Sequence, residues 1–456
     1  MKNKALVIFL SIIMFVIGVV AGAGGIAYIT LPFSEELVQT DSVYYSLSDK
    51  DNTVAVATGV QQPQSGAVAV HFLELGNKYT GDCTYIKVGT DIDILIDCGS
   101  KSNSVATVSN YLNQYVTDGV LEYVIITHGH QDHYAGFATT AKVDSIFDLY
   151  ECETIITFAT TNQKMPTTYL DKTEETGKEY VSKLGITSYS TTTTSTSTLY
   201  ANFNRELTAE LDTELTKGNR AGQKPTHLLA SEVVDSYADG KIVLDATNDI
   251  TLQILDNYYY YNEGHENDYS VCTMINQGNK HFIFTGDLEE GGEKYLVDTS
   301  RNPIFATADF TTRSYGVELY KAGHHGSKTS SSMDLLNVIK PKIVCVCCCA
   351  GSNEYTENVA NQFPTKQFIN NVSQFTTQVY VTTLCVDYDN DQFTSFNGNI
   401  VVMAKKDDVE VSVYCSNNTI VLKDTEWFKI NRLDLCKQAE SGKETLHESW
   451  YISQTN

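Results

Sequence analysis

The sequence predicts an α/β protein: two β-sheets packed face to face between layers of helices, a four-layer αββα sandwich, with a membrane-spanning helix at the N-terminus. Three observations predict it. From residue 67 onward, strand-like apolar runs bounded by Gly, Asp and Asn alternate with stretches of helical spacing. His and Asp cluster at the ends of those runs, where loops leave a sheet. An uncharged stretch covers residues 5–31, enough for the roughly 20 apolar residues that cross a bilayer.

Lys2 and Lys4 precede that stretch, and Glu35, Glu36 and Asp41 follow it. This asymmetry places the body of the protein outside the cytoplasm. Ala21-Gly22-Ala23 resembles a small-residue cleavage site, so a cleaved signal peptide and secretion are the competing reading. The apolar run continues past it, which favours a retained anchor at residues 1–31. Both readings export the protein. Residues 32–66 are rich in Ser, Thr, Asp and Gln and read as a spacer.

The core begins at residue 67. Residues 67–75, 83–88 and 93–99 form a strand meander, and 104–116 has helical spacing with Ser104 as a cap. His71 is a lone strand histidine and reads as structural. A strand over 121–126 runs into His128-Gly129-His130-Gln131-Asp132-His133, and the small residues of Ala135-Gly136-Phe137 let backbone pack against that loop. Residues 150–239 are weakly patterned, with a Ser/Thr tract at 187–198 and one helix over 206–217. They read as an insertion, a candidate lid, that carries a surface His227. Strands resume at 240–244, 250–255, 271–275 and 281–284, the last ending in Thr285-Gly286-Asp287. His281 reads as structural. The run Tyr258-Tyr259-Tyr260-Tyr261 reads as strand and surface packing, with a pocket for a choline-like cation as the alternative. A helix over 289–298 precedes Gly323-His324-His325-Gly326-Ser327. The main domain spans 67–405, and 406–456 is a terminal extension with short strands at 409–414 and 419–423.

The net charge of −24 disfavours nucleic acid as a partner, since affinity for it comes largely from Lys and Arg. Of the 11 cysteines, Cys345, Cys347, Cys348 and Cys349 sit in one strand-like run. Neighbouring strand residues point to opposite faces, so these thiols cannot gather around one metal. They read as small buried apolar residues, which fits poorly with an oxidising exterior.

Three of the 10 histidines fall between His128 and His133. They and Asp132 converge only if a tight loop wraps a common point. Imidazole and carboxylate suit zinc and related divalent metals.

In full, the order is H-x-H-x-D-H, His265, Thr285-Gly286-Asp287, then Gly323-His324. It resembles the metallo-β-lactamase superfamily of metal-dependent hydrolases. More narrowly, His71-Phe72-Leu73-Glu74-Leu75-Gly76, Asp97-Cys98-Gly99, Asn267-Asp268-Tyr269-Ser270 and Gly323-His324-His325-Gly326-Ser327-Lys328 resemble the soluble hydrolase domain of ComEC-type DNA-uptake proteins and its phosphorylcholine esterase relatives. The chain departs from them at Thr356-Glu357-Asn358, where such proteins often carry Gly-His-Pro.

The resemblance implies two divalent ions, zinc with manganese or iron as alternatives. His128 and His130, with His265 or water, would hold one; His265 as a plain loop histidine is the other reading. Asp132, His133 and His324 would hold the second ion, and Asp287 would bridge the two. A bridging water would ionise and attack phosphorus or a carbonyl carbon. Asp132 and His325 are the candidate catalytic residues; His325 either contacts the substrate or fixes its loop with a hydrogen bond. The expected activity is hydrolysis of phosphoesters or phosphodiesters. DNA cleavage, β-lactam or lactone hydrolysis, and a non-catalytic binding module are the alternatives.

Overall fold

The computed structural model describes residues 65–140, 142–163, 198–408 and 411–451. The expected membrane helix within residues 1–31 and the tract at 187–197 lie outside them. Among the described residues, no helix is long and apolar enough to cross a membrane.

Two eight-stranded sheets make the frame. The first is built from β1 (Ala67–Phe72), β2 (Thr84–Val88), β3 (Ile92–Ile96), β4 (Val120–Ile126), β5 (Glu151–Thr157) and β6 (Thr226–Leu229). The second holds β7 (Lys241–Asp245), β8 (Ile250–Ile254), β9 (Thr273–Gln277), β10 (Lys280–Phe284), β11 (Leu319–Lys321), β12 (Ile343–Ala350), β13 (Val379–Asp387) and β14 (Gln392–Ser395). The chain then returns to the first sheet as β15 (Ile400–Lys405) and β16 (Ser412–Cys415). The strand orders are β16-β15-β1-β2-β3-β4-β5-β6 and β14-β13-β12-β11-β10-β9-β8-β7. The strands from β3 to β6 pair in parallel, as do those from β10 to β13.

Period-two alternation decides which side chains meet. Val68, Val70 and Phe72 of β1 enter one core with Leu252, Ile275, Phe282 and Phe284 of the second sheet. The rings of Phe72 and Phe284 lie 6.3 Å apart across that interface. Full burial of such a side chain contributes about 1.5–3 kcal/mol. Helices add their apolar faces. In the first sheet's core, α1 (Ser104–Leu112) and α2 (Thr198–Asp212) bury Val105, Val108, Tyr200, Phe203 and Leu207. Against the second sheet, α3 (Glu290–Leu296), α4 (Met333–Ile339) and α5 (Lys366–Ser373) pack Leu296, Leu335, Leu336 and Phe368 with Ile283, Tyr320, Val344 and Val346. The result is a mixed α/β architecture on two large sheets.

Several local expectations change. Ser104 is the first residue of α1 rather than its cap; Asn103 takes the N-cap position without a side-chain bond. The expected insertion at 150–239 contributes two strands, because β5 pairs with β4 and β6 with β5. Its helix starts earlier than expected, at Thr198, and stops at Asp212. His227 is half-buried on β6, where its Nε2 meets Thr157 Oγ1 at 2.9 Å, so it is not a surface residue. Tyr258–Tyr260 forms a 3-10 turn, not strand, because the Asn257 side chain accepts the Tyr259 N–H and starts a turn. Residues 419–423 form no strand; Leu422–Asp424 is a 3-10 turn leading to a helix, α6 (Glu426–Asn431). Phe428, Cys436, Leu446 and Trp450, from the last stretch of chain, join the core cluster of the second sheet. His71 and His281 sit in structural settings. His71 Nδ1 meets Tyr111 Oη at 2.7 Å among the rings of Tyr85, Tyr111 and Tyr115. His281 Nδ1 meets Asn276 Oδ1 at 2.7 Å.

Candidate metal centre

The parallel strands β3, β4, β10 and β11 deliver their carboxyl ends to one place. β3 leads into Asp97, held in the left-handed region at φ 58°. β4 leads into Thr127 and the His128–His133 loop. β10 leads into Thr285-Gly286-Asp287, and β11 into the Gly323–Gly326 turn. Asp82 arrives just before β2. In α/β sheets, loops at such ends collect ligands because they can converge without breaking strand pairing.

Close backbone approach makes the loop compact. Asp82 N donates to Asp132 O at 3.0 Å, and Cys98 N to His133 O at 2.8 Å. A Cβ on Gly99 would collide with the Asp132 carbonyl, and one on Gly136 would collide with Cys98. The small residue expected at Gly136 thus has a direct reason. Glu266 clamps the loop from outside. It accepts the Gly129 N–H at 2.8 Å, the Asn162 N–H at 2.7 Å and the Thr161 hydroxyl at 2.7 Å.

Asp82, His133, Asp287 and His325 offer four ligand atoms, all within 4.8 Å of one another, and all four residues are buried. Asp287 Oδ2 is the common neighbour: it lies 3.2 Å from His133 Nε2, 3.4 Å from His325 Nε2 and 3.7 Å from His324 Nε2. Yet His133 Nε2, His325 Nε2 and Asp287 Oδ1 make no hydrogen bond, although buried. An unsatisfied buried polar atom costs about 1–3 kcal/mol. Imidazole nitrogens and carboxylate oxygens left unsatisfied around one point fit a divalent cation with N/O preference.

Neighbouring groups aim these atoms. His133 Nδ1 donates to Asp97 Oδ2 at 2.7 Å, which turns Nε2 toward Asp287. His325 Nδ1 donates to the Cys347 carbonyl at 3.0 Å and lies 3.1 Å from Asp82 Oδ1. Its Nε2 then faces Asp132 and Asp287, each at 3.4 Å. These contacts orient the two rings and place a proton on Nδ1 of each. Thr127 supports the same frame: its N–H and hydroxyl donate to Asp97 at 2.8 and 2.7 Å. Lys321 forms a buried ion pair with Asp82 and stands 4.0 Å from Asp287 Oδ1.

The electrostatics follow. Burial works to lower the His133 and His325 pKa values, but Asp287 acts on both, with Asp97 on His133 and Asp82 on His325, and both imidazoles are held well above the ordinary value. Burial works to raise Asp287, but His133, His325 and His324 bring it well below the usual range. Burial also opposes Asp82's ionisation, and Lys321 with His325 overcomes it. Burial and His133 push His128 down, and burial does the same to His324, so both imidazoles stay neutral.

The expected ligand set is thus gathered unevenly. His133 and Asp287 stand in the tight cluster. His128 adjoins it, its ring 4.2 Å from that of His133, and its Nε2 meets His130 Nδ1 at 3.0 Å. Asp132 is partly exposed, reached by His325 and by the Tyr355 hydroxyl at 3.3 Å. His324 is set at the rim: its Nδ1 faces Thr329 Oγ1 at 3.2 Å and Glu289 at 3.7 Å. His265 is exposed at the start of the turn Glu266–Tyr269, where its backbone N–H donates to Asp268. The structure therefore does not bring His265 into the cluster; its neighbour Glu266 is the residue that reaches the loop. His325 fixes its loop through Nδ1 and also enters the cluster. Both His324 and His325 take left-handed backbone conformations, φ 48° and 55°, rare for residues with a Cβ. Sequence reasoning missed Asp82, Asp97, Lys321 and Glu266. The signals for the first two were slight: a carboxylate beside Gly81, and one at a strand end before Cys98-Gly99.

Residues 76–145 match the family model of the metallo-β-lactamase superfamily. The matched segment is a minor part of the chain. It holds Asp82, Asp97 and the whole His128–His133 loop, while Asp287, His324 and His325 lie beyond it. No curated protein matches the chain. Among solved structures, the metallo-β-lactamase fold protein YhfI from Bacillus subtilis is similar over 69% of this chain and 95% of its own, at 9% identity and a TM-score of 0.31. A mutant of the CmlA beta-hydroxylase is similar over 62% of this chain and 46% of its own, at 9% identity and a TM-score of 0.28.

Proposed function

We propose that this protein is a metal-dependent hydrolase of phosphoester or phosphodiester bonds that acts outside the cytoplasm, held by an N-terminal anchor. The observation that supports it most is the buried convergence of Asp82, His133, Asp287 and His325 beside the carboxyl ends of the parallel strands. Those four would hold one ion, with His128, His130, Asp132 and His324 beside them as the donors for a second. Ions bound there supply Lewis acidity and bring the pKa of a water toward neutrality.

The chain's own residues then have separable tasks. Asp97 holds His133 through Nδ1, and the Cys347 carbonyl holds His325 in the same way, so their Nε2 atoms face the centre. Lys321 balances the charge of Asp82 and Asp287. Tyr355 is exposed, its ring 5.6 Å from that of Phe363, and it donates to Asp132. From there it can meet a substrate oxygen at the mouth of the site. The charge of −24 supports a small or surface-bound phosphodiester, such as a headgroup, over DNA.

The test compares bis(p-nitrophenyl) phosphate, p-nitrophenyl phosphorylcholine, single-stranded DNA and a chromogenic β-lactam on one zinc-loaded preparation. Turnover of the first two supports the proposal, and preferred DNA cleavage would move it to a nuclease. Turnover of the β-lactam alone would overturn the phosphoester reading.

A further inference from the structure

The hydrogen bond made by one ring nitrogen of a histidine decides whether the other is free to bind a metal ion. For His133 the Nδ1 partner is a carboxylate, and for His325 it is a carbonyl oxygen. Both partners only accept, so each ring carries its proton on Nδ1. His324 differs. Its Nδ1 meets the Thr329 hydroxyl at 3.2 Å, and a hydroxyl can either donate or accept. That contact alone leaves the His324 proton unassigned.

Glu289 removes the ambiguity. Thr329 Oγ1 donates to Glu289 Oε1 at 3.1 Å, and a carboxylate only accepts. The single proton of the hydroxyl is committed to Glu289, and its two lone pairs are left for donors. Ser327 Oγ, 3.1 Å away, donates to one of them, and His324 Nδ1–H takes the other. Ser327 Oγ in turn accepts the Thr329 N–H at 3.3 Å. Glu289 Oε1 also stands 3.7 Å from His324 Nδ1, where a carboxylate favours an N–H over a bare ring nitrogen.

Backbone bonds clasp the segments that carry this relay. Glu290 N–H donates to Thr329 O at 2.8 Å, and His324 N–H to Gly286 O at 3.0 Å. The Ser330 hydroxyl donates to Leu288 O at 2.7 Å. From a third segment, Asn267 Nδ2 donates to Glu289 Oε1 at 3.2 Å. At the inner end of the relay, His324 Nε2 lies 3.7 Å from Asp287 Oδ2.

We propose that Glu289, acting through Thr329, is the positioning residue of His324. It fixes the Nδ1–H tautomer and so keeps the Nε2 lone pair available to an ion. In the opposite tautomer Nε2 would carry the proton and could not serve as a ligand. His324 depends on this device because it is half-buried at the rim, where no core packing holds its ring as it holds His133 and His325. The proposal rests on the metal-dependent reading above and adds to it the residues that prepare one donor.

The experiment compares wild type, Thr329→Val, Thr329→Ser, Glu289→Ala and His324→Ala, all as full chains. In metal-free protein at neutral pH, long-range nitrogen–proton NMR reads the tautomer of each histidine, and the signal missing from His324→Ala is that of His324. Competition with a chromogenic chelator reads zinc affinity. The expected result is an Nδ1–H His324 in wild type and Thr329→Ser, with growth of the Nε2–H form in Thr329→Val and Glu289→Ala. One zinc-binding step weakens by roughly 10–100-fold in those last two variants and stays at wild-type strength in Thr329→Ser. In a His324→Ala background, Thr329→Val is expected to have no further effect on zinc, whereas a merely structural role would persist there. An unchanged tautomer or unchanged zinc affinity in Thr329→Val overturns the proposal and leaves the hydrolase reading standing. A wild type that binds no zinc overturns that reading and the proposal with it.

Discussion

The Glu266 carboxylate accepts the backbone N–H of Gly129 at 2.8 Å, across 137 residues of chain. Gly129 separates two histidines of the loop, so this bond sets where both imidazoles point. Because Glu266 also accepts from Asn162 and Thr161, it ties three segments together. Groups that orient ligands without touching the metal change affinity by roughly 10–100-fold. Glu266→Ala is expected to weaken zinc binding by about that factor, read by competition with a chromogenic chelator. His265→Ala, one residue away and exposed, should bind zinc as the wild type does. Equal binding by both variants would refute the clamp.

Lys321 and Asp82 form a buried ion pair under the centre. Removing one member leaves an uncompensated charge, which costs roughly 3–5 kcal/mol, whereas removing both can be nearly neutral. In denaturant unfolding with chelator present, Lys321→Met and Asp82→Asn should each destabilise strongly. The double variant should be more stable than the sum of the two losses predicts. Simple additivity would show that the two residues do not act as a pair.

Backbone contact at Gly99 admits no side chain, since a Cβ would run into the Asp132 carbonyl. Gly99→Ala is expected to displace the loop and to cost on the order of 1–3 kcal/mol. Gly89→Ala is the control for backbone strain without a collision. It carries a positive φ of 60°, but its Cβ would meet nothing within 4 Å. A larger loss at Gly89 than at Gly99 would contradict the close-approach argument.

His71 gives the pH dependence. Burial lowers its pKa to about 3 from the ordinary value of 6.5. As pH falls below 6.5, the unfolded chain takes up the proton first, so stability is lost progressively toward pH 3 and is unaffected by this group above 6.5. One such group accounts for a slope of up to about 1.4 kcal/mol per pH unit. His71→Phe should flatten the acid limb of the stability curve by that slope. An unchanged limb would mean that His71 titrates normally.

The strand frame and the His-rich loops are readable in the sequence because both are local patterns. Alternation marks β1 to β4, and three histidines beside Asp132 mark the loop. Features that stayed hidden depend on contacts between distant segments. Asp82 looks like any loop carboxylate until Lys321 and His325 arrive from far along the chain. His265 carries the residue type of a ligand, but the chain turns there so that Glu266 faces inward instead. β5 is masked because Glu151 and Glu153 interrupt its apolar residues. Those carboxylates accept the backbone N–H groups of Thr216, Lys217 and Arg220, from a segment that begins 65 residues after Glu151. The tyrosine run has strand propensity, and the Asn257 cap overrides it.

The most direct test of the central claim is the metal content of the purified protein. Wild type, Asp287→Ala, His133→Ala and His265→Ala are each loaded with zinc, desalted and measured by elemental mass spectrometry beside bis(p-nitrophenyl) phosphate turnover. The account predicts bound zinc and turnover in wild type and His265→Ala, and loss of both in Asp287→Ala and His133→Ala. Wild-type zinc content in Asp287→Ala, or none in the wild type, would contradict it.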